Sequence, residues 1–212
     1  MNNLKLFGLT AGVGSLVLAG SASADFQGIS FDSYETSNGV TYIIYAEVQA
    51  GDQVNAVYGD DAVALSIASD NGFYQNAFGG NTPPNPALIG VFPSLANDSF
   101  VTIGRLTDVD NAMLEIGIDW TGFEAGGAIA TDNGSWFATP DDAQVYEDGG
   151  RVAIGQFTVA NGDHVYGTLN LQGKNADLSN WTATGINFDT VPAPGALALL
   201  GLAGIAARRR RK

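Results

Sequence analysis

Between residues 25 and 189 no segment keeps apolar side chains at i, i+3, i+4 and i+7 for more than two turns. An amphipathic helix therefore has nothing to be built from. The same stretch is filled with short runs of β-branched and aromatic residues, cut apart by Gly, Asn and Asp. Chains written this way bury alternate residues of many short strands, and two sheets packed face to face are their stable solution. Strands are expected over 28–34, 41–49, 55–58, 63–68, 100–106, 113–119, 151–159, 164–171 and 181–188. Gly59-Asp60-Asp61 supplies the turn between the third and the fourth, and 100–106 is expected to pair with 113–119 across residues 107–111. The clearest hairpin joins 151–159 to 164–171 at Asn161-Gly162, because an N-G between two alternating runs favours a tight primed turn. The expected class is all-β, a single jelly-roll-like β-sandwich.

Two connections are long. Residues 72–99 carry Pro83, Pro84, Pro86 and Pro93, and loops of this length are either functional or lie as covers over part of a fold. Phe73, Tyr74, Phe78 and Phe92 are expected to tuck this loop onto the core. Residues 122–140 are rich in glycine and hold Gly126-Gly127 and Trp136-Phe137; no strand is assigned there. The chain has no internal repeat.

Charge narrows the partners. All 22 acids lie between Asp25 and Asp189, but of the nine bases only Arg105, Arg151 and Lys174 do. Twenty-two acids against three bases leave a formal charge of −19 on this body. Nucleic acid is excluded, since the phosphate backbone would be repelled, and an anionic lipid surface is disfavoured for the same reason. Three sources of the acidity remain: a saline habitat, bound Ca²⁺, or plain solubility. Seventeen of the acids are Asp and five are Glu, which points to turn and cap chemistry for much of the excess. There are no cysteines, so neither a disulfide framework nor thiolate chemistry is available.

Both ends are apolar. Lys5, the apolar stretch 6–18 and the A-x-A site Ala22-Ser23-Ala24 read as a secretory signal peptide over 1–24, with cleavage after Ala24. At the other end, Val191, Pro192, Ala193 and Pro194 form an extended segment, because each proline fixes φ and pushes its predecessor out of the helical region. The apolar run 195–207 follows, then Arg208, Arg209, Arg210, Arg211 and Lys212. Thirteen helical residues at about 1.5 Å each span roughly 20 Å, short of the roughly 30 Å hydrocarbon core. The tail is thus a marginal membrane anchor, and its cation cluster stays cytoplasmic. Both ends place residues 25–190 beyond the inner membrane.

With its proline motif, short apolar helix and terminal arginine cluster, residues 191–212 resemble the PEP-CTERM sorting signal of bacteria. Ala193 stands where that family usually carries Glu. The resemblance implies an exosortase, a membrane enzyme that recognises the tail, removes it and releases or transfers the protein outward. It also implies a surface or extracellular-matrix protein that works with exopolysaccharide. Within 42–159, runs such as VYGDDAVALSI, IGIDWTGFEAGG and GRVAIGQFTV resemble a module of secreted surface proteins, to which no activity is attached.

Few constellations offer chemistry. Asp108, Asp110 and Asn111, with Glu115 four residues on, are candidate Ca²⁺ ligands, as oxygen at alternating positions suits that ion. Solvated turn residues explain the same pattern, and the glycine and final acid of an EF-hand loop are missing. Asp141-Asp142 with Glu147-Asp148 is a second acidic cluster of the same kind. His164 is the single histidine and reads as a turn residue. No G-x-S-x-G elbow is present, so nucleophilic hydrolysis lacks its scaffold, and no cofactor other than Ca²⁺ is suggested. No spacing singles out a carboxylate pair. Trp120, Trp136, Trp181 and the seven tyrosines serve either as core or as a sugar-stacking platform.

The expected organisation is a signal peptide (1–24), an acidic β-sandwich ectodomain (25–190) and a sorting tail (191–212). The expected role is non-enzymatic: a structural or adhesive, exopolysaccharide-associated protein, held briefly at the inner membrane and then placed at the cell surface or outside it. The alternatives are a carbohydrate-binding module and, behind it, a hydrolase of matrix polysaccharide.

Overall fold

The computed structural model describes residues 26–191. The cleavage site at Ala22 and Ala24, the motif residues Pro192, Ala193 and Pro194, and the cations from Arg208 to Lys212 lie outside the described residues. Val191, at the boundary, is half exposed.

The elements are β1 (Phe26–Thr36), β2 (Gly39–Val48), β3 (Gln53–Gly59), β4 (Leu65–Ala68), α1 (Pro86–Val91), a 3₁₀ turn (Pro93–Asn97), β5 (Phe100–Val101), β6 (Leu114–Ile116), α2 (Thr121–Glu124), β7 (Ile129–Thr131), β8 (Gly134–Phe137), β9 (Arg151–Val159), β10 (Tyr166–Lys174) and β11 (Asn180–Asp189). They form two antiparallel sheets around one core, as the alternating pattern requires. The smaller sheet runs β1-β2-β9-β5. The larger runs β6-β8-β3-β10-β4-β7, with β11 on the other side of β10.

The larger sheet is simpler than its strand count. β3 and β4 lie end to end along one edge of β10, pairing Tyr58 with Asn170 and Ser66 with Thr168. β8 and β7 follow the same broken line on the far side, pairing Gly134 with Gly59 and Thr131 with Leu65. One long strand thus bulges out at 60–64 and rejoins its line. Asp60 holds the bulge by accepting the N–H groups of Ala62 and Val63, and the Asn170 amide donates to the Val63 carbonyl. A Cβ at Gly59 would lie 2.2 Å from the Thr131 carbonyl oxygen, so only glycine lets the two broken strands close up.

Side chains from both sheets fill the core. Ile29, Phe31, Ile44, Val152, Ile154 and Phe157 point in from the smaller sheet; Val57, Leu65, Ile67, Trp136, Leu169 and Trp181 meet them from the larger. Trp136 is fully buried and donates its indole N–H to the carbonyls of Thr102 and Ile154, at 3.1 and 3.2 Å. It thereby pins the larger sheet to the edge of the smaller one. Phe73 drops from the long loop into the core, against Phe157 at 5.2 Å and Phe123 at 5.7 Å.

Several sequence expectations change. The hairpin at Asn161-Gly162 does not form: β9 pairs with β2 and β5, and β10 with β11, β3 and β4. The turn itself exists, with Gly162 at φ 88 and the Asp163 N–H on the Ala160 carbonyl. It carries the chain from one sheet to the other, because both edges of β9 are already taken. The pair 100–106 with 113–119 is likewise split, since β5 joins the smaller sheet and β6 the larger. Both strands are cut short where Gly104 and Gly117 turn at φ 71 and 73. β7 and β8 arise inside the glycine-rich 122–140, where no strand was expected. Of the loop aromatics, Phe73 reaches the core, whereas Phe78 and Phe92 stack on each other at 4.1 Å with Phe78 exposed.

Candidate functional site

Register decides which side chains face outward from the smaller sheet. Opposed residues share a face, so Asp32, Tyr34, Thr41, Tyr45, Glu47, Arg151, Ala153, Gln156, Thr158 and Phe100 all lie on the side away from the core. This outer face has two halves.

The half around Thr158 is covered by the end of the long loop. Leu95 and Phe100 are buried there although both lie outside the main core. The Gln156 amide donates to the carbonyls of Ala96 and Asp98, at 3.0 and 2.8 Å. The Thr158 and Thr41 hydroxyls share a hydrogen bond of 2.6 Å, and the Thr158 N–H donates to the Ser99 hydroxyl. Asp98 is fully buried and organises the loop above it, accepting the backbone N–H groups of Asn76 at 2.7 Å and Gly80 at 3.1 Å. Burial pushes its carboxyl up to about 6, although the N–H groups of Asn76, Gly80 and Ser99 pull the other way.

The half around Arg151 is open. A cleft of about 320 Å³ lies here, between β9 with its neighbour Tyr45 and the two segments 104–106 and 143–148. The Arg151 guanidinium grips Asp32 with two hydrogen bonds, at 2.8 and 3.1 Å, and lies over the Tyr45 ring 4.1 Å from its centroid. The Tyr45 phenol is pushed up to about 12, by burial first and then by the Asp32 charge, with Arg151 opposing. Arg105 lines the same cleft, beside Asp148 and the exposed Tyr146. Gly104 makes this wall possible: it sits at φ 71, donates to the Ala153 carbonyl, and a Cβ would fall 1.9 Å from the Gln144 carbonyl oxygen. Two of the body's three cations therefore line one cleft. Their scarcity was visible in the sequence; their meeting was not, because it depends on β5 joining β9.

Two of the three candidate Ca²⁺ ligands accept hydrogen bonds from the protein. Asp108 accepts the Asn85 amide at 2.9 Å, and the Asn111 side-chain oxygen accepts the Met113 N–H and the Gln144 amide. Asp110 is exposed and holds a left-handed corner at φ 52. Glu115 bonds to the Asn81 amide, and burial moves its carboxyl upward. Among the described residues no group of three or more His, Asp or Glu side chains is placed to hold a metal ion.

The second acidic cluster behaves in the same way. Asp142 accepts the Gln144 N–H, and Glu147 accepts those of Gly51 and Gly150. Asp52, Asp60, Asp98, Asp163, Asp177 and Asp189 also receive backbone N–H groups, which is the turn chemistry that the excess of Asp over Glu suggested. His164 stands in the β9–β10 link, 3.7 Å from Asp189 and 3.9 Å from Asp163. Trp136 and Trp181 are buried, and Trp120 packs half-buried against Phe123 and Trp136. Aromatic exposure at the cleft is left to tyrosine. Among the described residues no helix is long and apolar enough to cross a membrane. No protein-family model, curated protein or solved structure matches this chain.

Proposed function

We propose that the chain is an exported, non-enzymatic surface or extracellular-matrix protein that associates with exopolysaccharide through the cleft beside Arg151. In this reading residues 1–24 are a signal peptide, and the tail from Val191 to Lys212 is a sorting signal of PEP-CTERM type, held briefly in the inner membrane and read by an exosortase. The body is jelly-roll-like, a description supported by the chain changing sheet at β2–β3, β4–β5, β5–β6, β8–β9 and β9–β10.

One observation carries the reading. The chain leaves the body at Thr190, which is tied to Val165 by two hydrogen bonds of 2.9 Å beside the Val159 end of β9. The cleft lies at the Arg151 end of the same nine-residue strand. Eight steps of about 3.3 Å put the two roughly 26 Å apart. During the brief stage in which the tail holds the protein, the cleft would lie away from the membrane, on the side where polymer is met.

Cell fractionation with an antibody to the body tests the address. The expected product lies in the envelope or medium and lacks both apolar ends. Full-length protein in the cytosol with both termini intact would overturn the reading. Retention of the purified full-length chain on immobilised exopolysaccharide from the same cells tests the partner, and passage unretarded through that matrix would remove it.

A further inference from the structure

Arg105 is the odd residue of the cleft. Twenty-two acids are spread over this body, yet among the described residues Arg105 has no carboxylate partner. Its Nε is buried without an acceptor; that atom is closed to solvent, so the terminal nitrogens of the guanidinium are what a ligand in the cleft would meet. A buried donor without a partner costs free energy, more so when it belongs to a charged group. Arg151, on the same cleft, is already held by Asp32. The guanidinium fork matches a carboxylate in a planar, two-bond geometry that no other side chain reproduces.

We propose that the cleft binds an acidic glycan, a polysaccharide carrying uronate units, with Arg105 receiving the sugar carboxylate. The inference rests on the exopolysaccharide reading above and narrows it to a substrate class. The rest of the wall fits such a unit. A pyranuronate offers hydroxyl donors beside its carboxylate, and the lining holds an acceptor, Asp148, as well as the cations. Tyr146, 40% exposed on the same lining, offers aromatic surface for the sugar's apolar face. An acidic peptide brings backbone N–H donors beside its carboxylates as well, so hexaglutamate is the competitor that the glycan class has to beat. The body's net negative charge opposes a long polyanion, as it opposes nucleic acid; charges farther away than about 8 Å are largely screened at physiological ionic strength, so the two cations of the cleft decide the contact for the short run held inside it. A volume of about 320 Å³ lies at the lower end of the usual range for small-ligand sites, about 300–1,000 Å³, and suits a short run of polymer.

Isothermal titration of the full-length chain with hexagalacturonate, its methyl ester, maltohexaose and hexaglutamate tests the assignment. The acid is expected to bind at least about tenfold more tightly than its ester, roughly 1.4 kcal/mol, and to weaken as salt rises. Arg105→Gln should erase that difference, Arg105→Lys should keep part of it, and Lys174→Gln should leave it intact. Equal binding of acid and ester would overturn the carboxylate assignment while leaving a glycan site in place. Hexaglutamate binding as tightly as the uronate would overturn the glycan class. If no sugar binds, the exopolysaccharide reading falls with it. Circular dichroism of Arg105→Gln guards against a variant that has failed to fold.

Discussion

At the Thr158 end the outer face of the four-stranded sheet is roofed by residues 93–99, and at the Arg151 end it opens into the cleft walled by 104–106 and 143–148. Both halves belong to the same strands, so strand chemistry does not separate them. What separates them is where donors find acceptors. Under the roof, Gln156, Thr158, Thr41 and Asp98 are satisfied by one another and by loop backbone. In the open half, Arg151 and Asp32 are about one third exposed, and the Arg105 Nε has no acceptor. The roofed half spends its polar groups on holding the fold, whereas the open half leaves the Arg105 Nε unpaired.

Removing the apolar centre of the roof should give the largest effect. Phe100 is about 1% exposed, and Phe100→Ala is expected to cost about 3–5 kcal/mol, measured by chemical denaturation. A loss near 1 kcal/mol would mean that the roof is a loose lid and that the two halves differ little.

Asp98 gives the next effect, and its sign is unusual for a carboxylate. Its folded value, about 6, lies above the ordinary 3.8. Its contribution is therefore fully present below about pH 4 and is lost as pH rises through 6, because only the unfolded chain ionises freely in between. Two pH units correspond to about 3 kcal/mol. Unfolding free energies of the wild type and Asp98→Asn, compared from pH 4 to 7, should diverge by an amount of that order, with the wild type losing ground as pH rises. A difference independent of pH would show that the roof solvates Asp98 far better than its burial implies.

Gln156 tests whether polar stitching or apolar cover closes the roof. Gln156→Leu leaves the carbonyls of Ala96 and Asp98 without their donor, at a cost of about 1–3 kcal/mol. Amide exchange should quicken at 93–98 ahead of the core strands. Unchanged exchange there would assign closure to Leu95 and Phe100 alone.

The roofed half was partly legible in the sequence, and the open half hardly at all. A proline-rich stretch of 28 residues was expected to be functional or a cover, and its end at 93–99 covers the outer face of the smaller sheet. Strand existence was legible wherever alternation was strong, as in β1, β2, β9 and β11. Pairing was not. Two Asn-Gly pairs show why. At Asn38-Gly39 the turn of a true hairpin is made by Ser37-Asn38, and Gly39 is already in β2, opposite Thr36. Asn161-Gly162 stands at the centre of its own turn, with the Asp163 N–H on the Ala160 carbonyl, and closes no hairpin, because β9 is an interior strand with β2 and β5 already on its edges. The corner is a local property of its residues; the partner is decided by burial over the whole sheet. The cleft was illegible for the same reason, since Arg105 and Arg151 are 46 positions apart in the chain and meet only through the pairing of β5 with β9.

The smallest change in stability carries the sharpest contrast. Asp32 and Arg151 form a two-bond pair that is about one third exposed on each side, so Asp32→Asn should cost no more than about 1 kcal/mol. The same change frees the Arg151 guanidinium, which the Tyr45 ring keeps in place. A uronate oligomer would then meet two unpaired cations on one wall, and its affinity should rise while that of its methyl ester stays put. Titration of this variant beside Arg105→Gln therefore moves binding in opposite directions with stability almost still. An equal response from Gln156→Leu, on the roofed half, would erase the distinction between the two halves. Unchanged binding in Asp32→Asn would mean that Arg151 serves only to brace β1 against β9.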